Sequence, residues 1–105
     1  MRLVLVTAPG PEARLLARRV VEERLAACAN LIPGVESVYR WQGGVEEAAE
    51  TLLVLKTTAA RVEALRARVR ALHSYDVPEF LVLPVEGGLE PYLAWVRASV
   101  AEGEA

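Results

Sequence analysis

Ser37-Val38-Tyr39-Arg40-Trp41-Gln42-Gly43-Gly44-Val45 is the stretch on which the fold turns. Gln42-Gly43-Gly44 reads as a tight turn, because glycine adopts the positive φ that a reversal of the chain demands. Outward on one side, Cys28 to Trp41 reads as a strand in which Pro33-Gly34 marks a bulge or bend. On the other side, Val45 to Thr57 reads as its antiparallel partner. Each arm of this hairpin runs to about a dozen residues, roughly twice the usual strand.

The segments flanking the hairpin complete the pattern. Arg2 to Thr7 is apolar at nearly every position, which predicts a central strand covered on both faces. Ala8-Pro9-Gly10-Pro11 ends it, and Pro11 suits the first position of a helix that carries Ala13, Leu16, Ala17, Val20 and Val21 on one side to about Ala26. A second helix is predicted from Thr58 to Leu72, with Val62, Leu65, Val69 and Leu72 along one stripe. Phe80 to Val85 reads as a last strand, which Pro84 confines to a sheet edge or a bulge, and a third helix is predicted from Pro91 to Ala101. Glu102 to Ala105 is expected to form a loose tail.

The order β-α-β-β-α-β with one additional C-terminal helix is that of an α+β, ferredoxin-like fold: two helices cover one face of a four-stranded antiparallel sheet. Helices of about fifteen residues span roughly 22 Å, whereas a twelve-residue strand spans roughly 40 Å, so the hairpin overhangs the domain. Its overhanging part carries Val38, Tyr39, Trp41 and Val45. Exposed aromatic residues on bare strands promote association, which predicts an oligomer with strands paired between subunits.

The composition fits one domain spanning residues 1–105, with 53% hydrophobic and 25% charged residues. The formal net charge of −2 argues against a nucleic-acid partner, and no apolar run approaches the ~20 residues that cross a bilayer. The apolar stretch at Met1–Thr7 is too short for a signal-peptide core and there is one cysteine, so a cytoplasmic, reducing location is expected. No organic cofactor motif is present.

The chemistry-bearing residues are few. His73-Ser74-Tyr75-Asp76-Val77-Pro78-Glu79 places an imidazole, two acids and a phenol beside a proline, where the chain leaves helical geometry. His73 with Asp76 or Glu79 offers a nitrogen and carboxylate oxygens to copper(II) or zinc, while a histidine at a helix end also serves to satisfy the last carbonyls. Cys28 reads as a small packed residue or as a thiol available to a metal or to oxidation. Lys56 is the sole lysine and lies inside the apolar run Leu52-Leu53-Val54-Leu55, which suggests a partner for its ammonium group, or a chain that snorkels from a strand end.

Leu25-Ala26-Ala27-Cys28-Ala29-Asn30, Ser37-Val38-Tyr39-Arg40-Trp41, Lys56-Thr57 and the His73–Glu79 segment, taken in this order, resemble the CutA family of divalent-cation tolerance proteins. The resemblance runs from Val6-Thr7-Ala8-Pro9 to Tyr92-Leu93-Ala94-Trp95. It implies a compact, non-catalytic homotrimer similar in build to the PII signalling proteins, with a role in metal-ion tolerance and copper(II) or another divalent cation bound weakly. The metal candidates are His73, Cys28, Asp76 and Glu79. Family members with proline after the histidine and glutamate after the tyrosine differ from this chain, which has Ser74 and Asp76, and some carry a cysteine at the position of Val6. Tyr39, Trp41, Glu50, Lys56, Tyr75 and Glu79 also match the family pattern, and imply a cleft between subunits suited to a small anionic ligand or a protein partner. An enzyme or a small-molecule sensor using that cleft, with Lys56, Tyr75 and an acid as its working groups, is the alternative.

Overall fold

In a computed structural model describing residues 1–101, β1 (Arg2–Ala8) occupies the interior of a four-stranded antiparallel sheet. On one side it pairs β3 (Gly44–Thr57), from Arg2 opposite Thr57 to Ala8 opposite Thr51. On its other side lies β4 (Leu81–Pro84), and β2 (Cys28–Trp41) completes the order β2-β3-β1-β4. Pro84 therefore stands on an edge strand, as its missing N–H requires.

Helices α1 (Gly10–Glu22) and α2 (Val62–Leu72) lie against one face of this sheet. They close a core of Val4, Val6 and Ala8 from β1, Leu53 and Leu55 from β3, Ala13, Leu16, Ala17 and Val20 from α1, and Leu65 and Val69 from α2. The helix α3 (Glu90–Ser99) packs separately, its Val96 joining Val100, Ala27 and Met1. Because side chains alternate along a strand, Leu3, Leu5, Leu52 and Val54 point off the opposite face. They remain partly exposed there, beside Ile32, Leu81 and Leu83, which are exposed outright. The expectation that β1 is covered on both faces is thus corrected: within one chain the helices cover a single face.

The first helix ends at Glu22, four residues before the predicted Ala26. Nothing in the composition marks this stop, since the left-handed position is filled by Arg24, with φ 59°, where glycine is usual. Leu25 N–H donates to the Val20 carbonyl and Arg24 N–H to that of Val21, closing a Schellman motif. The predicted second helix opens as a 3-10 turn (Ala59–Arg61), and β4 and α3 are each shorter than predicted. The expected tail, Glu102–Ala105, lies outside the described residues.

The hairpin has the predicted form. A two-residue turn, Gln42 and Gly43, both at positive φ, brings Trp41 opposite Gly44. Pro33 and Gly34 together oppose Thr51, a bulge that shifts the register of β2 by one residue between Ile32 and Val35. With arms of 14 residues the hairpin sets the long dimension of a molecule measuring 45 × 26 × 21 Å.

The seam between the α1 exit and the sheet is tied by the fully buried Thr57, whose hydroxyl donates to the Leu25 carbonyl at 2.7 Å. Thr57→Val keeps the shape and removes that donor, and is expected to destabilise the fold by about 1–2 kcal/mol. Urea unfolding, read as a lower midpoint with an unchanged slope, checks this.

Candidate functional site

Where the hairpin outruns the helices, the connection between α2 and β4 folds beneath it. The two enclose a groove of about 690 Å³ lined by Thr7, Ser37, Val38, Tyr39, Trp41, Glu46, Glu50, Tyr75, Asp76, Val77, Pro78 and Glu79. Alternation explains the hairpin's share of this lining. Glu46 and Glu50 lie on the β3 face opposite the buried Leu53 and Leu55, and cross-strand partners share a face, which puts Tyr39 beside Glu46. The bulge at Pro33-Gly34 brings Ser37, Tyr39 and Trp41 onto that same side.

Buried polar contacts hold the loop in place. The His73 side chain is fully buried, and its Nε2 donates to the Thr7 carbonyl at 2.8 Å, since a carbonyl can only accept. Nδ1 accepts from the Tyr75 N–H at 3.1 Å and lies 3.2 Å from Glu12 Oε2. Ser74 binds both oxygens of Glu12, through its N–H at 3.0 Å and its hydroxyl at 2.6 Å. Desolvation works to raise the Glu12 carboxyl, but the Ser74 bonds and the nearby His73 outweigh it and hold the group below its ordinary value. The ring of Tyr75 lies against His73, with centroids 4.6 Å apart, and its hydroxyl donates to Glu50 Oε2 at 2.9 Å.

These contacts leave a marked electrostatic signature. Desolvation, then the hydrogen bond to Glu50 and the charge of Glu50, push the Tyr75 phenol up to about 12. Desolvation, with the charge of Glu50 added, also raises the Glu79 carboxyl. Four carboxylates, of Glu46, Glu50, Asp76 and Glu79, line the groove, and no lysine or arginine does so among the described residues. One chain thus contributes acidic groups to this wall, and the small anionic ligand expected for a cleft between subunits would have to find its positive charge on a neighbouring chain.

Of the predicted cleft residues, the structure brings Tyr39, Trp41, Glu50, Tyr75 and Glu79 together and leaves Lys56 apart. Lys56 lies six residues from Glu50 along β3, about 20 Å away. Its ammonium group donates to Asn30 Oδ1 and approaches Cys28 Sγ at 3.9 Å. Asn30, opposite Val54 on the neighbouring strand, was the partner that reading Lys56 by itself could not supply.

Of the predicted metal ligands, Asp76 and Glu79 both line the groove, whereas His73 is taken up by contacts that hold the loop and Cys28 stands apart. Cys28 pairs through Lys56 with Leu3, about 13 Å along β1 from the Thr7 carbonyl that holds His73. Cys28 is half-buried beside polar groups rather than packed away. Neither nitrogen of His73 offers a free lone pair: neutral, Nδ1 is taken by the Tyr75 N–H, and protonated, it faces Glu12. Among the described residues no three groups of histidine, cysteine, aspartate or glutamate are gathered to hold a metal ion. The donor set does not fit a dedicated copper site. Sequence reading also missed Glu12 and Glu46, and the second was within reach, since counting three residues outward from each side of the Gln42-Gly43 turn pairs Tyr39 with Glu46.

The pattern of CutA1 divalent ion tolerance proteins matches residues 2–99. The chain belongs to the CutA1 family. It is 52% identical over 96 residues to the divalent-cation tolerance protein CutA of Thermus thermophilus, covering 90% of this chain and 93% of that protein. The chloroplastic protein CutA of Arabidopsis thaliana is 48% identical over 98 residues, covering 92% of this chain but 54% of that protein, so the chain spans about half the length of the plant relative. The solved PII-like protein CutA from Nostoc, in apo form, superposes with a TM-score of 0.91 at 36% identity, covering 95% of this chain and 97% of that one. The ferredoxin-like, mixed α+β architecture is thus that of the CutA1 structures.

The raised Tyr75 phenol makes stability depend on pH in the alkaline range. Its neutral form is favoured in the fold, so its contribution is complete below pH 10 and is lost as the pH rises through about 12. Ultraviolet titration of the three tyrosines is expected to show one ionising near 12, and Glu50→Gln, which removes the charge and leaves an acceptor, should return it towards 10.

Proposed function

We propose that this CutA1 protein is a non-catalytic, cytoplasmic homotrimer that takes part in divalent-cation tolerance by weakly binding cations in the acidic groove, in the manner of a PII-like responsive module. The observation that carries this reading is the groove itself, with Glu50 and Glu79 close enough for the charge of one to raise the carboxyl of the other. A cation between two such groups relieves their repulsion. The ion, copper(II) or another divalent cation, is held by carboxylate oxygens and completes its shell with water, which accounts for weak affinity. His73 and Asp76 then serve differently: the imidazole fixes the loop, and Asp76 adds charge at the rim.

Assembly is supported by what one chain leaves bare. Leu81, Leu83, Ile32, Tyr39 and Trp41 are exposed on the sheet face away from the helices, and an apolar face of that extent calls for a cover. The single cysteine supports cytoplasmic placement; among the described residues no helix is long and apolar enough to cross a membrane. Within one chain Lys56 is bound to Asn30, away from Tyr75, so the alternative, an enzyme or sensor that uses Lys56 with Tyr75, would draw the two from different subunits.

Sedimentation at micromolar concentration is expected to give three subunits. Trp41→Ala should weaken assembly more than Trp95→Ala, because Trp41 projects from the overhang whereas Trp95 rests on Tyr92 of its own helix, with ring centroids 5.5 Å apart. A stable monomer overturns the trimer.

Calorimetric titration with copper(II) is expected to give weak binding that falls at least five-fold in Glu50→Gln and in Glu79→Gln. Cys28→Ser should leave it unchanged. Binding that survives both glutamate changes and disappears with Cys28→Ser would move the site to the thiol.

A further inference from the structure

Lys56 and the acids of the groove stand on the same side of the sheet, yet cannot meet within one chain. Even-numbered residues of β3 point away from the helices, which places Glu46, Glu50, Leu52, Val54 and Lys56 on one face, beside Leu3 and Leu5 of β1 and Ile32 of β2. Lys56 is the only cation that the strands put there: Arg2 pairs with the buried Thr57 and Arg40 with Val45, both on the other side.

Each end of this face carries charge without counter-charge. The Lys56 ammonium group meets neutral atoms, Asn30 Oδ1 and Cys28 Sγ, and among the described residues no carboxylate joins them. At the other end Glu50 is more than nine-tenths buried and accepts from a neutral phenol, while desolvation and the charge of Glu50 raise the Glu79 carboxyl. Charges removed from water are costly until paired. Six residues of strand, about 20 Å, separate the two ends, far beyond the reach of a lysine side chain, so only another chain can bring them together.

A ring of three subunits supplies that geometry. Its contacts are heterologous: a patch on one subunit meets a different patch on the next, and the rotation closes. The face that carries both ends also exposes Ile32, Leu81 and Leu83 and calls for a cover. Head-to-tail contact through it can lay the Lys56 end of one subunit over the acidic end of the next.

We propose that in the trimer Lys56 of each subunit reaches into the groove of its neighbour and lies against Glu50 and Glu79, giving three ion pairs around the ring that a divalent cation must open to bind. This rests on the reading of the chain as a homotrimer with a cation site in the groove, and adds how the two are coupled. An entering cation takes the place of the ammonium group at the carboxylates, so occupancy loosens the ring and the closed ring lowers affinity for the ion.

Subunit exchange between unlabelled and isotope-labelled trimers, followed by native mass spectrometry, reads the contact. Lys56→Met is expected to speed exchange at least ten-fold, Glu50→Gln with Glu79→Gln to do the same, and all three changes together to be no faster than either, because one pair is removed twice. Copper(II) titration by calorimetry separates this from a merely structural role: Lys56→Met should bind at least five-fold more tightly than the unchanged chain, and Lys56→Arg, which keeps the charge, should stay within about three-fold of it. A water-soluble carbodiimide joins an amine to a carboxylate it touches, and Lys56 is the sole lysine. Cross-linked dimers and trimers with Lys56 joined to Glu50 or Glu79 are expected, and should vanish in Lys56→Met.

Additive effects of the lysine and glutamate changes on exchange overturn the proposal, as does coupling of Lys56→Met to Asn30→Ala in their place. Copper(II) binding that is unaltered in Lys56→Met but weakened in Glu50→Gln also overturns it, and leaves the groove a cation site. Coupled exchange in a chain that binds no copper(II) supports the ion pair and overturns the cation reading of the groove.

Discussion

The mismatch in length between the β2-β3 hairpin and the helices that cover the sheet governs the molecule. Arms of 14 residues extend about 46 Å, whereas α1 and α2, of 13 and 11 residues, reach about 20 and 17 Å. Helices can bury only the strand segments they lie over. The core is accordingly gathered around Val4, Val6, Leu53 and Leu55, and the distal half of the hairpin is free to form one wall of a groove and a surface for other chains.

The second wall depends on a small set of buried polar contacts. A six-residue run from Ser74 to Glu79 has little apolar area with which to hold itself against the sheet. His73 compensates by using both ring nitrogens, one on the Thr7 carbonyl and one on the Tyr75 N–H, while Glu12 secures Ser74. The loop is therefore tied to β1 and to the first turn of α1, and Tyr75 is delivered to Glu50 across the groove. Burial without alternative partners makes such contacts costly to break. In this chain the histidine acts through position, and the carboxylates carry the field.

Much of this was legible in the residues. The Gln42-Gly43-Gly44 turn, the Pro33-Gly34 bulge, the edge position of Pro84 and the two amphipathic helices follow from glycine and proline geometry and from periodicity. The early end of α1 was hidden, because Arg24 adopts a conformation that its side chain does not advertise. The grouping of Tyr39, Trp41, Glu50, Tyr75 and Glu79 emerged from the family resemblance. The role of Lys56 did not, since a strand position says nothing about which end of a sheet a groove occupies, and Asn30 comes near it only through the β2-β3 register. The sign of the groove's charge was likewise a property of side-chain directions: Glu46 joins the wall because of where the turn falls, while Lys56 is removed from it by six residues of strand.

The bulge at Pro33-Gly34 bears on how such a chain can change over evolutionary time. Before it, even-numbered residues of β2 share a face with even-numbered residues of β3; beyond it, odd-numbered residues take their place. A single residue lost or gained in β2 between the bulge and the turn would invert one arm against the other, moving aromatic residues to the back of the hairpin. Related hairpins of different length should therefore differ by two residues in each arm, or carry a second irregularity that restores parity. A change of length in such a hairpin thus comes in steps set by the pleat of the strand.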